Sequence, residues 1–483
     1  MIVRNSALIR RLLPKNAFIK NIGVLASGSS IAQILTISAA PLMTRLYSPD
    51  EFGLLAVYVS IMAILGVLST MSYELSIPLP DNDKEAARAV ELSLMLLASS
   101  SIIIGAFFIN FSQSLSEMLG APNLNDLLWF VPLGLLLSGV YRIFTYWSIR
   151  NQNYRTIAET KVRQSIIALA IQLAAYKLGV VALIFGQIAG SSVGMFRLAR
   201  PFLSNFYISK VTLSSLKQVA CRYKHFPIYT TWARLINTGG GHMPPLVIAA
   251  YFGIGSSGFY LVANRVISLP IGIISSAVSQ SYYGEASLMI KDGRVRILTQ
   301  NLHGLLARAS LPPLMFIFLI SPDIFHHIFG DGWRGVGEVA RWIVFYSYIE
   351  LLASPFQVFL ILDKQRVGLV VQVIMFFIKM SGLLVGAASD NFLSFIQIYS
   401  ISCFIAYVFV LTVKFVYAKV SFGKAFMDQL RAFLAAVVCV TPVLASMLID
   451  TYLWIKITIG VFSLVLVAAH AIWVIKKYDY VKF

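Results

Sequence analysis

The sequence predicts an all-α, polytopic membrane protein of about fourteen spanning helices, and three observations predict it. Of 483 residues, 58% are hydrophobic and only 12% charged, against the roughly 25% charged residues of a soluble globular domain. Too few charges remain to cover a water-facing surface. Apolar stretches near the ~20 residues that one spanning helix needs recur along the whole chain. The alternating ten-residue segments of a membrane β-barrel are absent, and in lipid the helix is the other structure that satisfies its own backbone.

In order, the spans are expected at 18–46, 54–78, 90–111, 125–147, 162–180, 181–200, 226–252, 258–280, 302–320, 336–362, 367–388, 392–414, 431–449 and 452–475. The first follows Arg4, Arg10, Arg11 and Lys15, a signal-like start. Its apolar run, about Ile22 to Leu46, is too long for a cleaved segment and reads as a retained helix.

The connections set the orientation. One side holds Lys84, Arg88, Arg150, Arg155, Lys161, Arg163, Arg200, Lys210, Lys217, Arg222, Lys224, Lys291, Arg294, Arg296, Lys364, Arg366, Lys419 and Lys424. The basic arm before the first span and the Lys476, Lys477, Lys482 tail fall with them. The opposite side is mostly acidic, with Asp50, Glu51, Glu117, Asp323, Asp331, Asp390 and Asp450, and few bases such as Lys177 and Arg334. Both termini are therefore expected in the cytoplasm. The net charge of +18 is explained by this asymmetry, and no aromatic-basic patch points to nucleic acid.

The longest connection, about Pro201 to Phe226, is basic, with Val211, Leu213, Leu216 and Val219 at roughly helical spacing. An amphipathic helix on the inner leaflet and a solvated linker both fit it. A weak repeat supports two halves. Pro41-Leu42, Tyr47 and Gly53 end span one, and Pro245-Leu246, Tyr251 and Gly258 end span seven, with the same spacing from proline to tyrosine. Both spans leave the cytoplasm in the same direction, so the repeat is parallel. The expected organisation is an N-terminal lobe at 1–200, a basic cytoplasmic linker at 201–225, a C-terminal lobe at 226–414, and two added helices with a cytoplasmic tail at 415–483.

Chemistry-bearing motifs are sparse. There is no P-loop, H-E-x-x-H or C-x-x-C. Cys221, Cys403 and Cys439 are too scattered for a disulfide framework or zinc site. The His326-His327 pair near Asp323 and Asp331 reads as a solvated outer loop rather than a metal site, and Asp81-Asn82-Asp83 as a short connection without a nucleotide-binding domain. No catalytic residue, cofactor or metal ligand is expected.

What remains is charge inside the membrane, which costs about 2.5–3.5 kcal/mol at the bilayer centre and survives beside a cavity or partner. The candidates are Glu74, Arg142, Arg234, Arg265, Glu350, Lys379 and Arg308, with Arg45 at an outer helix end. For Glu74, Arg142 and Arg308, snorkelling toward the inner interface is the competing explanation. Arg234 precedes Gly239-Gly240-Gly241 and Pro244-Pro245, which should break or kink its helix. The candidates are mostly basic, and guanidinium matches the geometry of phosphate and carboxylate. A cavity lined by them would favour an anionic solute.

Two segments carry a family resemblance. Arg45-Leu46-Tyr47-Ser48-Pro49-Asp50-Glu51-Phe52-Gly53 is similar to the "RLYSPEEFG" loop of bacterial polysaccharide flippases, and Tyr73-Glu74-Leu75-Ser76-Ile77-Pro78-Leu79-Pro80 resembles their "YELAIxLP" segment. These are the O-antigen and capsule (Wzx-type) flippases of the polysaccharide exporter family. They share a superfamily with multidrug and toxin extruders and lipid II flippases. The resemblance implies two lobes around a cationic cavity and the flipping of an undecaprenyl-pyrophosphate-linked oligosaccharide. The glycan would pass from the cytoplasmic to the periplasmic leaflet of the bacterial inner membrane by alternating access. It implies a cavity lined by helices one, two, seven and eight, with four and ten. Glu74, Arg142, Arg234, Arg265 and Glu350 fall on those helices; Arg308 and Lys379 do not. Fourteen spans exceed the twelve common in O-antigen flippases. Expected partners are the lipid-linked glycan, membrane lipids, and polysaccharide polymerase or assembly proteins. Energy would come from a proton or sodium gradient, the membrane potential, or removal of product, with Glu74 or Glu350 as coupling carboxylate. Two other functions fit the class: a cation-coupled small-molecule exporter of the same superfamily, and a membrane polysaccharide polymerase or acyltransferase. The positive balance disfavours the first. The lack of a large periplasmic loop or an H-x-x-x-D pair disfavours the second.

Overall fold

A computed structural model describes residues 15–204, 212–290, 293–448 and 453–479. Arg4, Arg10, Arg11, Lys210, Lys291, Asp450 and Lys482, which carry part of the charge argument, lie outside them. Among the described residues every regular element is a helix. The helices are α1 Lys15–Leu46, α2 Pro49–Leu68, α3 Asp83–Met118, α4 Phe130–Arg150, α5 Tyr154–Ala174, α6 Val180–Ser192, α7 Met195–Ser204, α8 Leu213–Arg222, α9 Thr231–Phe252, α10 Ile254–Met289, α11 Val295–Phe329, α12 Arg334–Ala353, α13 Val358–Ile361, α14 Gln365–Ala387, α15 Phe392–Ala418, α16 Phe422–Leu448 and α17 Leu453–Asp479. Among the described residues, ten segments are long and apolar enough to cross a membrane, with Thr458–Val474 a shorter apolar one. The helices α1, α5 and α9, of 32, 21 and 22 residues, have the length for it at 1.5 Å per residue. This is an all-α polytopic membrane protein.

The chain forms two compact units, Met1–Gly255 and Ser256–Phe483. In the first, α1 packs on α5, α5 on α6, α9 along α2, and α3 on α4 and α8. Its core gathers Ile77, Val90, Leu97, Leu135, Ile143, Trp147, Leu198 and Phe202. In the second, α11 is central, packed by α12, α16 and α17, while α15 joins α12 to α14. Tyr282, Leu352, Phe356, Phe415 and Ala432 are buried in its core.

Helix starts follow local chemistry. Ser48 caps α2: its Oγ accepts from Glu51 N at 3.3 Å, and its own N–H donates to Glu51 Oε2 at 2.7 Å. This is a reciprocal capping box with Pro49 in the first turn. Asn82 caps α3 through Oδ1, accepting from Glu85 N at 2.7 Å. Asn391 does the same for α15, accepting from Ser394 N at 2.8 Å.

Several expected boundaries move. The second span ends at Leu68, not 78, and the chain from Ser69 to Asn82 leaves the helix, with Tyr73–Ser76 in one 3₁₀ turn. Met71 and Ser72 both take positive φ, 47° and 59°, a conformation that ends a helix and is costly for non-glycine residues. The fifth span begins at Tyr154 rather than 162. Arg155, Glu159, Lys161 and Arg163 sit inside the helix, and their charge hid its start from hydropathy. The tenth span breaks after Ala353. Of the break or kink expected in α9 at its glycines and prolines, the break does not occur: the helix runs through Pro244 and Pro245. A proline ring presses on the residue four positions back, and here those residues are Gly240 and Gly241, which can yield. Before α9, Phe226–Thr230 form a wide turn of the π type.

The linker contains a helix, α8, capped by Thr212. Its apolar residues Leu216 and Val219, with Tyr223, are buried in the core of the first unit beside Ala86, Ala87 and Val90 of α3. Leu216 and Val219 therefore pack on protein, while Leu213 at the start of α8 stays exposed and Val211 lies outside the described residues. The reason is the length of α3, which starts at Asp83 rather than near 90 and offers an apolar landing for α8.

Candidate functional site

The irregular segment after α2 carries Glu74 into the interior. Its side chain is fully buried. Thr70 Oγ1 donates to Glu74 Oε2 at 2.5 Å. Arg234 of α9 donates from Nη1 to Glu74 Oε1 at 2.9 Å and to Ser72 Oγ at 3.0 Å. Arg142 of α4 brings its Nε to 3.7 Å from the same Oε1. Its Nη2 donates to the Gly66 carbonyl at 2.7 Å and to Ser69 Oγ at 3.1 Å. Three candidates from three separate stretches of sequence thus form one cluster inside the first unit.

The fold dictates this meeting. Once α2 stops at Leu68, its last carbonyls lack helical partners, and the guanidinium of Arg142 takes the Gly66 carbonyl. The left-handed Ser72 turns its hydroxyl toward α9, where it also accepts from Thr231 Oγ1 at 3.1 Å. Two guanidinium charges share one carboxylate, so the cluster carries a net positive charge. The arginine side chains remain 28% and 30% exposed, which leaves N–H groups for a further acceptor. Guanidinium N–H groups match the geometry of phosphate and carboxylate oxygens.

The same segment is tied to the linker. Tyr73 donates its hydroxyl to the Ala220 carbonyl of α8 at 3.1 Å, and Arg222 pairs with Glu85 at 2.6 Å. At the other end of α2, Tyr47 donates to the Gln172 carbonyl at 2.5 Å. Burial and the Glu51 carboxylate push the Tyr47 hydroxyl up to about 12, so it remains a donor at neutral pH.

The remaining candidates lie elsewhere. In the second unit, Glu350 of α12 accepts from Tyr407 Oη at 2.7 Å, and Lys379 of α14 places Nζ 4.1 Å from the centre of the Tyr407 ring. One tyrosine of α15 therefore contacts both charges. Arg265 lies partly buried on α10, and among the described residues none forms an ion pair with it. Arg308 pairs with Asp428 of α16, an ordinary ion pair that explains its place in a span. Arg45 is exposed in the last turn of α1.

Sequence reasoning missed the neutral partners Ser69, Thr70 and Ser72, because hydroxyls in an apolar run carry no charge signal. It misses Asp428 because hydropathy places the start of the thirteenth span at 431, whereas the helix starts at Phe422. Asp428 narrows the excess of buried positive charge without cancelling it. Among the described residues no three His, Cys, Asp or Glu side chains gather as metal ligands.

Residues 42–338 match the family described as "Polysaccharide biosynthesis protein". The chain is 24% identical over 301 residues to the succinoglycan biosynthesis transport protein ExoT of Rhizobium meliloti (strain 1021), a match spanning 61% of this chain and 58% of that relative. Among solved structures, the lipid II flippase MurJ in an inward closed conformation superposes with a TM-score of 0.72 at 13% identity, covering 95% of this chain and 99% of that one. An inward-facing multidrug resistance MATE family transporter of the MOP superfamily superposes with a TM-score of 0.61 at 12% identity, covering 82% and 93%. At such identities the structures share the fold. The family match extends over more than half of the sequence, and the chain belongs to the polysaccharide biosynthesis protein family, with the fold of MOP-superfamily membrane transporters.

Proposed function

We propose that this protein flips a lipid-linked oligosaccharide, with an undecaprenyl-pyrophosphate carrier, from the cytoplasmic to the periplasmic leaflet of the bacterial inner membrane. Arg142 and Arg234, both in the first unit, receive the anionic headgroup. The observation that carries this reading is the sharing of one buried carboxylate, Glu74, by two partly exposed guanidiniums. Together they leave a positive site in a membrane protein of a polysaccharide family. The prenyl tail stays in lipid while the polar head is exchanged between sides by alternating access. The basic connections support an orientation with both termini in the cytoplasm. Glu350, held by Tyr407, is the carboxylate we assign to coupling with a proton or sodium gradient.

The test is to remove the protein from cells and follow lipid-linked glycan. Repeat units should accumulate in the inner leaflet, and wild-type protein should restore export while Arg142→Ala and Arg234→Ala do not. Normal glycan translocation accompanied by new drug sensitivity would favour the small-molecule exporter and sink this reading.

A further inference from the structure

Glu74 differs from an ordinary structural partner in how loosely its cations depend on it. Arg142 is fixed by the Gly66 carbonyl and Ser69 Oγ. Its Nε, buried and 3.7 Å from Glu74 Oε1, has no hydrogen-bond partner. Arg234 is anchored by Ser72 Oγ as well as by Glu74. Each guanidinium therefore has a neutral acceptor that would hold it if the carboxylate left. An unfilled charged donor, sealed beside a carboxylate at more than hydrogen-bond distance, is a cost that a better-placed oxygen would relieve.

We propose that Glu74 is a resident counter-anion that occupies the Arg142–Arg234 site in the empty protein and is displaced by a phosphate oxygen of the arriving headgroup. The inference rests on the anion-site reading above. Displacement gives the ligand the Nη1 of Arg234 and the unfilled Nε of Arg142 together. It also frees a backbone segment held in a left-handed turn at Met71 and Ser72. Because Tyr73 bonds the carbonyl of Ala220, that release is transmitted to α8. Headgroup arrival would then be felt at the linker without any direct contact. A competing internal carboxylate lowers apparent affinity in proportion to the time it fills the site, which favours release after transfer.

The experiment measures binding of inorganic pyrophosphate to the purified full-length protein and its variants. Glu74→Gln keeps the shape and the Thr70 contact but removes the competing charge. It should bind about tenfold more tightly than wild type, as expected if the carboxylate fills the site about nine-tenths of the time. Thr70→Ala, which loosens the carboxylate without removing it, should tighten binding by a smaller factor and covers the case of a poorly folded Glu74→Gln protein. Arg142→Ala and Arg234→Ala should each lose binding. Unchanged or weaker binding in Glu74→Gln and Thr70→Ala, with binding lost in both arginine variants, would overturn the inference and leave the anion site standing. Wild-type affinity in both arginine variants would overturn the anion site itself.

Discussion

Arg234 and Glu74 are 160 positions apart in sequence, yet Nη1 of the first stands 2.9 Å from Oε1 of the second. The contact is made possible by the early end of α2. A helix continued to residue 78 would have turned Glu74 with the rest of the span, and the left-handed Ser72 would not have been free to accept from the same guanidinium. The relationship makes the cluster an assembled feature of the first unit rather than the chance proximity of long side chains.

Replacing either arginine should separate transport from folding. A charge-assisted hydrogen bond contributes about 1.5–3 kcal/mol, so loss of Arg234 should lower headgroup handling by roughly ten- to a hundredfold. Arg234→Gln, which retains a donor without charge, should be nearly as impaired as Arg234→Ala if charge is what matters. Export of lipid-linked glycan, normalised to protein in the membrane, is the measurement; full activity in both variants would refute the assignment.

Gly53 is required for close packing. A Cβ there would overlap the backbone carbonyl of Ile254, and overpacking of this kind costs about 1–3 kcal/mol. Gly53→Ala should lower the thermal unfolding midpoint of the purified protein, and Gly53→Val should lower it further. An unchanged midpoint in both would show that the two segments are not in contact.

Arg308 and Asp428 should behave as a mostly buried pair. Their side chains are 18% and 14% exposed, and breaking such a pair leaves an uncompensated charge at a cost of about 3 kcal/mol. Asp428→Asn and Arg308→Met should each destabilise the protein. The double variant should lose less than the two together, with glycan export altered only in proportion to folded protein. Additive losses would contradict the pairing.

Tyr407 connects two charges by different means. Tyr407→Phe keeps the ring under Lys379 and removes only the donor to Glu350. If Glu350 couples transport to an ion gradient, this variant and Glu350→Gln should both lose the gradient dependence of flipping in proteoliposomes. Retained gradient dependence in Glu350→Gln would assign coupling elsewhere.

The all-α membrane fold was legible in the sequence because its signal is spread over hundreds of apolar residues. The meeting of Glu74, Arg142 and Arg234 was not legible. Charge could mark each as out of place in lipid, but hydropathy could not show where α2 stops, and the pairing follows from that stop. The motif around Tyr47 to Gly53 was visible as a resemblance, and its physical content appears only in three dimensions. Ser48 and Glu51 cap a helix, Tyr47 reaches Gln172, and Gly53 admits Ile254. The linker shows the opposite limit. Its helical spacing could be read, but the partner of its apolar face could not, because α3 hides its first turns behind charged residues. Asp428 escaped for a similar reason, at the polar start of α16.

The central claim is tested most directly by reconstituting the protein in liposomes with a prenyl-pyrophosphate-linked glycan and timing its appearance in the opposite leaflet. Wild-type protein should move the glycan well above the rate of protein-free vesicles, and the Arg142→Gln/Arg234→Gln double variant, inserted at equal amount, should not exceed that background. Equal rates for wild type and double variant would contradict the account.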